Sequence, residues 1–189
     1  MLRVVLAAEK LTHRPNLLQK LLGRLRSAGK QPVLAVQFVK QKADGGRAIA
    51  AHEGNASTTD YRDWRFRTAA RDVWGQYFEI WKPLGSRQDE WYLHQAYLHL
   101  FRTEMPSHSL IEFLALHSDP NDETDEPVGS YKRGPHLHVT QSSEPLPHCH
   151  FPLNLGQLDQ VLSSVDDLTL ALESAIGVIA HDVLGRFGY

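Results

Sequence analysis

The sequence predicts an α+β fold: an antiparallel sheet of about five strands with an N-terminal helix and C-terminal helices packed on one face. Three observations predict it. Helical periodicity is strongest near the two ends of the chain. Between Tyr77 and Phe151, strand-like segments follow one another with no helix long enough to serve as a parallel crossover. The composition, 42% apolar, 22% charged and 9% aromatic over 189 residues, is that of one packed domain spanning 1–189, and excludes collagen-like, low-complexity and largely disordered classes.

The elements follow in order. Met1 to Ala8 reads as a strand; Glu9 and Lys10 end its apolar run below signal-peptide length. Asn16 suits the cap of a helix whose Leu17, Leu18, Leu21, Leu22 and Leu25 share a face, with Gly29 as the stop. Pro32 to Val39 is a strand. Lys40 to Asp60, broken by Asp44-Gly45-Gly46 and Gly54-Asn55, is a long irregular segment of the kind that is often functional or mobile. Tyr61 to Trp74 is expected to be helical up to Gly75, followed by a strand from Tyr77 to Trp81 that Pro83 and Gly85 end. Trp91 to Arg102 and Ser109 to His117 form an antiparallel pair about a turn at Met105-Pro106-Ser107. The five carboxylates of Asp119 to Glu126 lack the spacing of a calcium loop and read as a solvated loop. Helical periodicity returns from Leu158 to Leu162 and from Asp167 to Leu184, where Ser164 and Asp167 suit a capping box and Leu172, Ile176, Ile179 and Val183 form a buried stripe. No stretch reaches the roughly 18 apolar residues of a membrane span, so no membrane association is expected. There is no internal repeat, phosphate loop, GxGxxG or GxSxG motif.

Cys149 is the only cysteine, which excludes an intrachain disulfide and makes a reducing cytoplasm the expected home. The net charge of -2 conceals an asymmetry. Residues 1–82 hold fifteen Lys/Arg against seven Asp/Glu, a balance of +8, and residues 83–189 hold five against fifteen, a balance of -10. The densest basic stretch interleaves Arg62, Arg65, Arg67 and Arg71 with Tyr61, Trp64 and Phe66, a pattern that binds single-stranded nucleic acid through phosphate forks and stacking. It would equally suit an acidic protein partner. In the alternative, the two halves neutralise each other, Trp64 and Phe66 are core, and the arginines lay their stems along apolar surface.

The most informative stretch runs from Gly134 to Phe151. The chain has eleven histidines, and four of them, His136, His138, His148 and His150, fall within fifteen residues. Strand alternation puts His136 and His138 opposite Leu137 and Val139, and His148 and His150 opposite Cys149 and Phe151. A hairpin turning about Ser143 would set His138 across from His148 and His136 across from His150, gathering four imidazoles on one face. Imidazole is the commonest ligand of first-row metals, so His136, His138 and His150 are candidate ligands for a divalent transition metal, zinc or manganese. Such an ion acidifies water for hydrolysis. Without metal, one histidine acts as base and another as acid, or the cluster is simply an exposed polar strand face.

Glu112 alternates with Leu110, Leu114 and Leu116 and is expected to point where they point; a carboxylate so placed needs a partner or a raised pKa. Glu112 and His148 are the acid/base candidates. His94, His99 and His117 lie on neighbouring strands and would orient or extend the cluster. The expected activity is a metal-dependent, nuclease-like hydrolysis of a phosphate-containing or nucleic-acid substrate; the alternative is a non-catalytic module that docks a polyanion or protein partner.

A third reading turns on Cys149. From Trp91 onward, an antiparallel sheet followed by helix, with His138 eleven residues before Cys149, resembles the ubiquitin-conjugating enzymes, which place a His-Pro-Asn tripeptide shortly before a thioester cysteine. Here no proline follows the histidine and Thr140 stands in place of the asparagine. The resemblance implies a thioester role for Cys149; otherwise Cys149 is a small buried hydrophobe.

Overall fold

The computed structural model describes residues 4–27, 32–40, 45–54, 60–120, 135–140, 148–152 and 164–187. Among the described residues, nine strands form one sheet, antiparallel at every pairing. They are β1 (Val5–Ala7), β2 (Leu34–Lys40), β3 (Arg47–Glu53), β4 (Phe66–Arg67), β5 (Val73–Pro83), β6 (Glu90–Glu104), β7 (Ser109–Ser118), β8 (His136–Thr140) and β9 (His148–Pro152). The spatial order is β2-β3-β5-β6-β7-β8-β9, with β1 paired to β6 and β4 to β5. The helices are α1 (Ala8–Gly23) and α2 (Val165–Val178), the latter continuing through a π turn (Ile179–Val183) into a 3-10 turn (Leu184–Phe187). The fold is thus α+β on a large antiparallel sheet, as expected in class but with nine strands in place of about five.

Leu11, Leu18 and Leu22 of α1 and Leu168, Leu172 and Ile176 of α2 share one core with alternate sheet residues such as Tyr77, Trp81, Leu98, Leu100, Leu114 and Leu116. The long hairpin of β6 and β7 lies where the alternation of Trp91 to His117 places it. Ser164 caps α2: its Oγ accepts from the Asp167 amide at 3.1 Å and donates to Asp167 Oδ2 at 2.6 Å. The helical run Val165–Arg186 is by length and composition apolar enough to cross a membrane, although polar residues interrupt it; in the fold, Leu168, Leu172, Ala175 and Ile176 bury one of its faces against the sheet.

Three expectations require correction. The N-terminal helix starts at Ala8, not at Asn16, and runs through Pro15. Its buried positions Leu11, Arg14, Leu18, Leu21 and Leu22 keep helical spacing throughout, but a charged residue at Arg14 breaks the apolar pattern that marks a helix in sequence. Lys40 to Asp60 contains β3, whose Ala48, Ile49, Ala50, Ala51 and His52 are all buried. An alanine-rich run has little strand preference of its own; pairing with both β2 and β5 decides its state. Tyr61 to Trp74 is not a helix. Asp60 caps a 3-10 turn at Tyr61–Asp63, and from Trp64 every second residue is buried, namely Trp64, Phe66, Thr68 and Ala70, which is the period of extended chain. The periodicity expected over Leu158 to Leu162 and most of the acidic run lie outside the described residues.

Gly75 on β5 packs under the Phe66 ring of β4, and a Cβ there would collide with the ring carbons. Gly75→Ala is therefore expected to destabilise the fold by about 1–3 kcal/mol in urea denaturation, as overpacking of a filled core does.

Beneath α1 lies a charged network that the sequence pattern does not reveal. Arg14 and Glu79 form a bidentate pair, both almost wholly buried, with Nη2 to Oε1 at 2.7 Å and Nε to Oε2 at 2.8 Å. Tyr77 donates to Glu79 Oε1 at 2.6 Å, Trp81 Nε1 to Oε2 at 2.8 Å, and Arg14 Nη1 to Thr169 Oγ1 at 3.0 Å. Burial first and Glu79 second push the Tyr77 phenol well above its usual range, against the opposing pull of Arg14. Burial opposes the Arg14 charge, but Glu79 and Tyr77 together more than offset it and the net shift is upward. Every carboxylate oxygen of Glu79 is satisfied, the condition on which a buried charge is tolerated.

Candidate metal centre

Alternation along the central strands sends Leu98, Leu100, Leu114 and Leu116 toward the helices and leaves Tyr97, His99, Phe101 and His117 for the opposite face. On β8, Leu137 packs against the helical core while His136 and His138 take the other side. The β7–β8 register pairs His117 with His136 and Ala115 with His138. Three imidazoles therefore meet: the ring centroids of His117 and His138 are 4.0 Å apart and those of His136 and His138 4.7 Å apart. One nitrogen from each of His117, His136 and His138 lies within 4.8 Å of the others, so the three could hold a metal ion. His136 is buried, His138 stands at 9% exposure, and His117 is half-buried.

His136 and His138 thus meet as the sequence implies, and among the described residues the histidine that joins them is His117 from β7. The β8–β9 hairpin forms with His138 opposite His150, Thr140 opposite His148 and His136 opposite Pro152, two residues displaced from the expected register. That register would have set Pro147, which has no N–H to give, opposite Val139 inside the ladder; Cys149 takes that place. The side chains of His148, Cys149 and His150 lie outside the described residues, so the catalytic role of His148, the ligand role of His150 and the thioester role of Cys149 stay expectations from sequence.

Glu112 does not point where Leu114 and Leu116 point; it shares its face only with the exposed Leu110. A β-bulge shifts the register so that Leu114 faces Leu100 but Glu112 faces Phe101, with Phe113 the extra residue. The extra residue turns Glu112 to the histidine face, where its Oε2 lies 2.7 Å from His99 Nδ1. The His99 ring lies 5.0 Å from that of His117 and stacks at 6.1 Å on Phe101 and 6.2 Å on Phe78. Tyr97 stacks on His117 at 4.1 Å and donates its hydroxyl to Asp119, the first carboxylate of the acidic run. His94 is the extra residue of a second bulge, opposite Ile80 and Trp81.

The four arginines do not share one role. Asp60 holds Arg62 in a bidentate pair at 2.7–3.1 Å, and Arg71 is almost fully exposed, 3.9 Å from Asp72. Arg67 lies over Trp74 at 5.5 Å and 3.8 Å from Glu53. Arg65 lies over Phe101 at 4.5 Å, beside Glu112. Trp64 and Phe66 are buried.

His117, expected from sequence only to orient or extend the cluster, is a candidate ligand in its own right: it lies near the end of β7, and antiparallel pairing with β8 brings it alongside His136. The His99–Glu112 pair had no signal in the sequence, because a bulge leaves no pattern in the alternation.

No family model matches the chain, and no curated protein or solved structure is significantly similar to it.

Proposed function

We propose that the chain is a metal-dependent hydrolase of a phosphate-containing substrate, with the ion held by His117, His136 and His138. The convergence of three imidazoles from two adjacent strands carries this reading. Three neutral nitrogens suit zinc better than manganese, whose preferred ligands are oxygens. A site of these three ligands alone would leave a coordination position open, as catalytic zinc sites do; His150, paired opposite His138, is the residue whose ligation would close it. A bound zinc would supply Lewis acidity and water acidified toward neutral pH. The chain's own proton-transfer group is His99: Glu112 fixes its ring through Nδ1, which leaves Nε2 as the working nitrogen, and the ring stands next to His117.

This division of labour predicts a separation of effects. In zinc-loaded protein assayed on an aryl phosphomonoester and an aryl phosphodiester, His99→Ala is expected to lower kcat about 10²–10⁴-fold, the range of general acid–base catalysis, with zinc content unchanged. Glu112→Gln, which keeps an acceptor but loses the charge, is expected to lower it less. Absence of turnover on both esters by the zinc-loaded wild type would overturn the hydrolase reading and favour the binding-module alternative.

A further inference from the structure

We infer that Arg65 is the anion-recognising residue of this face, receiving a phosphoryl oxyanion beside the His99–Glu112 pair; the inference rests on the hydrolase reading and names the chemistry its substrate must carry. Arg65 differs from the other arginines of its segment. Arg62, Arg67 and Arg71 each have a carboxylate within 4.0 Å, and among the described residues Arg65 has none. A guanidinium has five N–H donors in a planar fork. Only Nη1 of Arg65 finds acceptors among the described residues, the carbonyls of Arg62 at 2.8 Å and Trp64 at 3.0 Å. Its Nε is buried with no acceptor, a state that costs desolvation energy unless a ligand or water supplies one.

The residue is also held in place. Its guanidinium lies 4.5 Å from the Phe101 ring centre, and Phe101 stacks on His99. A half-buried cation fixed on an aromatic ring loses little freedom on meeting an anion. The nearby acids are Asp63 and Glu112, and Glu112 is engaged by His99. Burial draws the Arg65 pKa below its ordinary value, with Asp63 and Glu112 pulling the other way; an arginine so perturbed still carries its charge at any working pH. From Arg65 through Phe101 and His99 to His117, one face of the sheet thus runs from an uncommitted cation, past a proton-transfer pair, to the metal ligands.

The test is calorimetric titration with inorganic phosphate, and separately with dimethyl phosphate, in two states of the full chain: zinc-loaded and chelator-treated. Saturable binding is expected in both states, weakened at least 10-fold by Arg65→Gln and less by Arg65→Lys, which keeps charge but not the fork. Arg24→Gln, whose wild-type side chain pairs with Glu173 between the two helices, is expected to bind as wild type. Thermal melts check that the variants remain folded, and Arg65→Lys decides the matter if Arg65→Gln does not. Preference for phosphate identifies a terminal phosphoryl group as the ligand, and preference for dimethyl phosphate an internal diester; both support the assignment. Retained binding in Arg65→Gln, or no binding of either anion by wild type, overturns it. Because the chelator-treated arm needs neither metal nor turnover, loss of the hydrolase reading and loss of this one are read separately.

Discussion

Glu79→Ala is expected to destabilise the protein by about 3–5 kcal/mol, the cost of leaving a buried charge without its partner. Arg14 is 3% exposed and its guanidinium makes three contacts with that one carboxylate. Removing the carboxylate also strands the Tyr77 hydroxyl and the Trp81 indole N–H, both in fully buried side chains. With a loss of that size against a total stability of about 5–15 kcal/mol, the variant should be marginal at 37 °C. Arg14→Met is expected to be similarly harmful, since it leaves Glu79 charged and wholly buried. The double variant Arg14→Met with Glu79→Leu removes both charges and should recover much of the loss, as hydrophobic replacement of buried ion pairs often does. Urea denaturation of the three variants measures the coupling; a loss below about 1 kcal/mol for Glu79→Ala would mean that water reaches the pair in solution.

The second large effect concerns metal. His117→Ala and His138→Ala each remove one of three nitrogens, and each should weaken zinc affinity by more than the roughly 10–100-fold that follows from losing a hydrogen-bond partner of a ligand. His99→Ala, which leaves all three nitrogens in place, should weaken it no more than about 10-fold. Competition with a chromogenic chelator gives all three values. Equal affinity in wild type and His117→Ala would remove β7 from the site.

How much of this was legible in the sequence depends on what each residue answers to. The β6–β7 hairpin and the histidines of β8 were legible because apolar and polar residues alternate on strands with one covered face. The segment around Arg65 misled because arginine and aromatic residues at mixed spacing fit a helix as well as a strand; burial of Trp64, Phe66, Thr68 and Ala70 in alternation settles it. The start of α1 was hidden by Arg14, a charge buried only because Glu79 waits sixty-five residues away. No local pattern records a partner at that distance. The site divides the same way: His136 and His138 declare themselves by spacing, His117 depends on which strand pairs with β8, and Glu112 reaches His99 through a bulge that reverses its expected facing.

The central claim is that His117, His136 and His138 bind one divalent ion together. Anomalous diffraction at the zinc edge, on crystals of tag-free protein loaded with one equivalent of zinc, tests it most directly. The account predicts a single dominant anomalous peak with nitrogen from each of the three histidines at about 2.0–2.1 Å. Zinc bound elsewhere on the chain, or no peak above background at these three rings, would contradict it.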